Sequence, residues 1–153
     1  MRKIITLITF LLISIASIGQ LPIGKNKNSG KKEFIALLKS NGYHYLNESV
    51  QHLYGYNKET KKWDVPSEEY IEILFKEEFT VNIYYNKYDN IRSIAIDFEN
   101  EKNKKKLLSI FNYNKWKLIR ENAKYKEMTF RVGDFYALVS EVQIIISLND
   151  FKN

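Results

Sequence analysis

His44, Glu48 and His52 are the residues whose types and spacing come nearest to a metal site. Each lies four positions from the next, so a helix would place all three on one face, where two imidazoles and a carboxylate could hold zinc. The neighbouring Tyr45 and Leu46 are instead typical of extended chain, and a strand spreads four residues over about 13 Å. We therefore expect no metal site here and interpret both histidines as solvated surface residues.

Other catalytic patterns are weak. Ser140 lies in Val139-Ser140-Glu141 rather than in a nucleophile elbow, although a triad assembled from distant residues stays open. The chain has no phosphate-binding glycine loop and no Cys, which excludes disulfides, thiolate metal sites and Cys nucleophiles. We expect no cofactor, and enzymatic activity is the less favoured interpretation.

The charge balance is basic, with 24 Lys and Arg against 18 Asp and Glu and a net charge of +6. Lysines cluster at 31–32 and 102–106, and further basic residues stand at 115–120. These patches either attract an anionic partner or reflect a compositional excess of lysine over arginine. Because nucleic-acid readers favour the bidentate arginine fork, and the chain has few arginines, we expect no nucleic-acid binding.

The tyrosines are more informative about a binding site than the lysines are. In the strands predicted over 70–98, the side opposite the apolar one is expected to carry Tyr70, Thr80, Asn82, Tyr84, Ser93 and Asp97. Aromatic rings among short polar groups suit a protein or sugar partner, and we take Tyr70, Asn82 and Tyr84 as candidate binding residues. The alternative is that tyrosine is present because it is a good strand former.

The first residues read as a secretory signal peptide over 1–19. A basic start is followed by a fifteen-residue apolar run from Ile4 to Ile18 and by small residues before Gln20. This run is shorter than the ~20 residues of a spanning helix, and no later stretch approaches that length. We expect an exported protein, periplasmic or extracellular, with a flexible lead-in over 20–30. The lack of Cys favours a bacterial export route.

The remaining pattern predicts an α+β fold. Helical stripes start near residues 31 and 101, and Asn100 is expected to cap the second helix. The first helix is expected to end at Asn41-Gly42. Alternating strands are predicted over 70–75, 79–85, 94–98 and 128–132, with a turn at 47–49 and one bent strand over 135–148. We expect a single domain over 31–153, an antiparallel sheet with two helices packed on one face.

A faint internal repeat is also present. Residues 34–38 match 107–111 at an offset of 73, and at the same offset Tyr43 meets Trp116. This suggests two tandem α-β-β-β units over 31–99 and 100–153, although any two amphipathic helices followed by strands would align similarly.

Three functions follow from these observations. The first is a secreted or periplasmic non-enzymatic binding module that recognises a protein through its Tyr-bearing sheet face. The second is an inhibitor or immunity-type protein that blocks a secreted enzyme. The third is a small envelope hydrolase, which would need a deep pocket with two converging carboxylates or an acid of raised pKa. The oligomeric state stays open.

Overall fold

A computed structural model describes residue 23 and residues 29–53, 56–57, 59–63, 67–111 and 113–149. These form two helices and ten strands, with a short 3-10 turn at Tyr113–Lys115. The helices are α1 (Ser29–Ser40) and α2 (Glu101–Ile110). The strands are β1 (His44–Leu53), β2 (Tyr56–Asn57), β3 (Lys62–Trp63), β4 (Ser67–Lys76), β5 (Phe79–Tyr85), β6 (Ile91–Phe98), β7 (Lys117–Asn122), β8 (Glu127–Val132), β9 (Phe135–Val139) and β10 (Gln143–Ser147).

Eight of the strands form one antiparallel sheet in the order β1-β4-β5-β6-β10-β9-β8-β7. Strands β2 and β3 form a separate small hairpin. Each helix is followed in the chain by four strands of the main sheet. The two groups of four meet at the central pair β6–β10.

The alternation of β5 shows how the core is built. Phe79, Val81 and Ile83 are buried on the side that faces the helices, whereas Thr80 and Asn82 point to the other side. Directly opposed cross-strand residues share a side, so the registers extend this division across the sheet. Both helices contribute to one continuous apolar cluster, which includes Phe34, Leu38, Leu107, Phe111, Ile94, Ile96, Phe130, Val139, Ile144 and Ile146.

The helix boundaries agree with the sequence signals. Gly42 follows α1 with φ of 84°, the left-handed conformation that glycine adopts without strain at a helix end. Asn100 precedes α2, and its side-chain oxygen accepts a hydrogen bond of 3.0 Å from the Asn103 N–H. This is the N-cap that the sequence predicts.

Two predicted elements differ in the structure. The turn expected at 47–49 is wrong, because β1 runs through it with a register shift between Tyr45 and Asn47 that absorbs Leu46 as a bulge. The single bent strand over 135–148 is also wrong. It is two strands, and the Ser140 hydroxyl oxygen accepts from the Gln143 N–H at 3.1 Å to stabilise the reversal between them.

The side of the sheet to which each β4 side chain points is a third difference from the prediction. Its apolar alternation predicts Ile71, Ile73 and Phe75 on the core side and Tyr70 on the opposite side. The register instead pairs Tyr70 with Tyr85 on the helix side. A two-residue turn joins β4 to β5, and such a turn fixes which residues face each other whatever their hydrophobicity. The predicted position of Tyr70 on the open side is therefore wrong.

The predicted signal peptide lies outside the described residues. Within the predicted lead-in, Ile23 is buried in the core cluster. Neither helix in the described ranges has the length and apolar character needed to cross a bilayer.

Candidate functional site

The side of the eight-stranded sheet turned away from both described helices is called the open face here. The registers arrange its side chains in rows that run across the strands. One row is Ser49, Ile71, Tyr84, Ser93, Ser147, Tyr136, Arg131 and Lys117. The next is Asn47, Ile73, Asn82, Ala95, Ile145, Leu138, Thr129 and Arg120.

Two of the three predicted binding residues lie together on the open face. Asn82 and Tyr84 are two positions apart on β5 and occupy adjacent rows. Tyr70 lies on the other side of the sheet, where its ring stacks on Tyr85 with centroids 5.5 Å apart. Its hydroxyl donates to a Glu68 carboxylate oxygen at 2.7 Å. The predicted cluster is thus reduced to two members.

A hydrogen-bonded acid occupies the middle of this face. The Asn82 amide nitrogen donates to Asp97 Oδ2 at 2.6 Å. Burial raises the pKa of Asp97 above its ordinary value, and the Asn82 hydrogen bond offsets part of that rise. The carboxylate is therefore a half-buried acceptor that is held in one orientation by an amide partner.

Tyr84 lies in the field of two acids. Burial, reinforced by the carboxylates of Asp97 and Glu69, raises the pKa of the Tyr84 hydroxyl. Burial also raises the pKa of Glu69, against the opposing effect of Arg92. The phenol consequently stays protonated and can donate a hydrogen bond across a wide pH range, while the acids beside it can accept.

The sequence pattern missed the apolar part of the open face. Ile71 and Ile73 are half-buried there, and Phe75 is 38% exposed. On the far half, Leu138 and Ile145 are half-buried as well. The two-residue turn after β4 is the sequence feature that could have placed Ile71, Ile73 and Phe75 on the open face. The apolar alternation assigned them to the core instead.

The opposite end of the open face is basic and aromatic. The Arg131 guanidinium carbon lies 4.4 Å from the ring centroid of Tyr136, a cation–π distance. Its Nε donates to the Gly133 carbonyl at 2.7 Å. These two contacts fix the guanidinium over the ring and leave this end positively charged.

A charged network on the helix side has a structural interpretation. Lys31 Nζ lies 2.9 Å from an Asp89 oxygen and 3.6 Å from a Glu72 oxygen. The same nitrogen lies 3.6 Å from the centroid of the Tyr85 ring, and the Tyr85 hydroxyl donates to Glu48. The lysine thus ties α1 to β4 and to the β5–β6 turn, which explains why a charged residue is largely buried there.

A cavity of about 530 Å³ lies beside α2. Glu101 is the one carboxylate among its lining residues, and Lys104 Nζ lies 3.8 Å from it. The hydrolase hypothesis asks for two carboxylates that converge on a cavity, or for an acid of raised pKa in a pocket. This cavity supplies one carboxylate, and the acids of raised pKa, Asp97 and Glu69, lie on the open face instead.

The histidine spacing gives no cluster. All three residues lie on β1, where His44 faces the open side and the ring of Phe75 at 5.8 Å. Glu48 and His52 face the helix side. Among the residues that the structure describes, no three His, Asp or Glu side chains are close enough together to hold a metal ion.

Comparison of the chain with models of known protein families, with curated proteins and with solved structures finds no match.

Proposed function

We propose that the protein is an exported binding protein that recognises another folded protein through the open face. The observation that carries this proposal is the apolar content of that face. Ile71, Ile73 and Phe75 project from β4 on the side away from both helices. An antiparallel sheet that faces only water usually alternates to polar residues on that side, so partly exposed aliphatic and aromatic groups favour a partner.

The chemistry of the face favours a protein over a sugar. Sugar sites are built chiefly from aromatic rings and polar groups, whereas the open face adds aliphatic Leu138 and Ile145 to its two tyrosines. Tyr84 and Tyr136 offer large contact areas at low entropic cost. Eight strands at about 4.8 Å spacing make the face about 34 Å wide, which is enough for one side of an ordinary protein interface.

The charge distribution suggests how a partner would be oriented. The β4–β6 half carries the acids Glu69 and Asp97, and the β7–β8 end carries Lys117 and Arg131 beside one acid, Glu127. A partner with basic groups opposite Asp97 and acidic groups opposite Arg131 would be steered into a single orientation. The face is built from strands, so it is largely preformed. This also suits the alternative of an inhibitor that blocks a secreted enzyme.

We further propose that the chain arose from two tandem units, each with one helix and four strands of the main sheet rather than the three strands predicted. The buried positions Phe34 and Leu38 of α1 correspond at the predicted offset to Leu107 of α2 and to Phe111, which follows the end of α2. A buried aromatic residue follows each helix. The strand order is mirrored about the β6–β10 pair.

Export is part of the proposal and rests on the apolar leader and small-residue exit at 1–19. Intact mass spectrometry of the protein recovered from the periplasm or medium should give the mass of a chain that begins at Gln20. A mass that includes Met1 would contradict export with cleavage.

The binding proposal is tested by affinity capture from the periplasm or medium with Tyr84→Ala. The matched control is Tyr88→Ala, which changes an equally large but 62% exposed tyrosine in the β5–β6 turn. We expect wild type and the control to retain the same partner and Tyr84→Ala to lose about tenfold or more of it, as central interface tyrosines do. Equal retention by both variants would refute the open face as the binding site.

A further inference from the structure

The outer edge of β1 is a long strand edge with little protection. β1 ends the order of the main sheet, and no strand of the described ranges pairs with its outer side. Over its ten residues Glu48 is the one acid, and there is no Lys, Arg or Pro. The opposite edge strand β7 has six residues, of which three are charged. Natural edges are usually short or charged because open edges pair with other chains.

The direction of the backbone groups along this edge follows from the neighbouring turn. Lys76 and Phe79 flank the two-residue turn from β4 to β5 and therefore form a hydrogen-bonded pair. Such pairs alternate along antiparallel strands. Ile71 and Ile73 consequently bond towards β1 rather than towards β5.

Their partners on β1 then set which groups are left open. Asn47 and Ser49 pair with Ile73 and Ile71 and direct their backbone groups inward, so Glu48, Val50 and His52 direct theirs outward. An independent contact agrees with this alternation. The Glu48 N–H is bonded at 2.8 Å to the Asn47 side-chain oxygen rather than lying in a ladder.

This pattern is self-complementary in one antiparallel register. With Val50 opposite Val50 of a second copy, Glu48 falls opposite His52 and Ser49 opposite Gln51, on both sides of a two-fold axis. Glu48, Val50 and His52 all direct backbone groups outward, which gives roughly six hydrogen bonds across the joint once the Asn47 side chain releases the Glu48 N–H. A shift that centres Glu48 instead places two like charges directly opposite, which destabilises the pairing.

We propose that β1 pairs with β1 of a second copy of this chain, in antiparallel orientation about a two-fold axis at Val50. The joint extends the sheet from eight strands to sixteen and buries part of the Val50 side chain, which is 49% exposed. A two-fold, self-complementary contact closes on itself and leaves no further edge of the same kind.

Light scattering coupled to size exclusion, at several concentrations of purified protein, tests this pairing. Wild type should approach twice the monomer mass as concentration rises. Val50→Lys places two positive charges opposite each other at the axis and should weaken the dimer about tenfold or more. The control is Val142→Lys, the same exchange at a position that is 59% exposed in the β9–β10 turn, and it should leave the mass unchanged. A wild type that stays monomeric, or equal effects of both variants, overturns the proposal.

Cross-linking provides a second test that tolerates small changes in affinity. The chain has no Cys, so Val50→Cys introduces a single thiol. Hydrogen-bonded antiparallel partners have Cα atoms about 5.5 Å apart, which a disulfide can bridge. Under mild oxidation Val50→Cys should form a covalent dimer much faster than Val142→Cys. Equal rates for the two variants would contradict the register at Val50.

Discussion

At the residue scale, Asp97 places a half-buried carboxylate on the open face. Its carboxylate is half-buried, and burial raises its pKa. A carboxyl whose pKa is higher in the folded than in the unfolded state favours folding when protonated, and this contribution is lost as the pH rises through the folded-state pKa. Ionised Asp97 therefore opposes folding at neutral pH, and the Asn82 hydrogen bond offsets part of this loss of stability.

Asp97→Asn should accordingly raise the free energy of unfolding at pH 7, because a neutral amide of the same shape can still accept from Asn82. The advantage should shrink as the pH falls below the raised pKa of Asp97, since wild type is then neutral too. Urea denaturation at pH 7 and pH 3 measures both effects. The same variant should bind the partner more weakly, because it has lost the charge. A variant that is less stable than wild type at pH 7 would contradict this account.

At the scale of elements, the docking of α1 depends on one lysine. Lys31 bridges Glu72 on β4 and Asp89 in the β5–β6 turn, and its side chain is 11% exposed. Lys31→Met should cost about 2 kcal/mol of unfolding free energy, because it leaves the Glu72 carboxylate buried without a cation. Lys32→Met, at an exposed neighbouring position, should change stability by less than about 0.5 kcal/mol.

The double variant Lys31→Met/Glu72→Gln separates a charge effect from a packing effect. It should recover at least half of the loss seen in Lys31→Met, because the uncompensated carboxylate is gone. Chemical denaturation of the four proteins gives the coupling directly. Additive losses in the double variant would mean that Lys31 acts through its hydrocarbon chain alone.

The elements also show what the sequence could and could not predict. Helix ends were predictable because Gly42 and Asn100 act locally. Strands β5 and β6 were predictable because one side is apolar and the other polar. The side to which each β4 residue points was not predictable, because the more apolar set, Ile71, Ile73 and Phe75, points away from the helices. The turn at 77–78 sets this register. The same limit applies to the candidate site. Asn82 and Tyr84 were predicted on the open side of the sheet, whereas Ile71 and Ile73 were assigned to the core.

At the scale of the whole molecule, the two helices and eight strands of the main sheet form one body with two unlike sides. The helix side is closed by a single apolar cluster that both halves share. The open face combines apolar, aromatic and charged rows at one surface. The predicted antiparallel sheet with two helices is confirmed, and the long-range order that joins β6 to β10 was not predictable, because nothing local encodes a pairing between residues about fifty positions apart.

Chemical footprinting of tyrosines in the captured complex tests the central claim most directly. Tyr84 and Tyr136 lie on the open face, whereas Tyr88 and Tyr125 lie in turns and are exposed. Peptides that contain the first two should be modified several-fold less in the complex than in the free protein, and peptides that contain the turn tyrosines should be modified equally. Protection of Tyr88 or Tyr125 without protection of Tyr84 and Tyr136 would contradict binding through the open face.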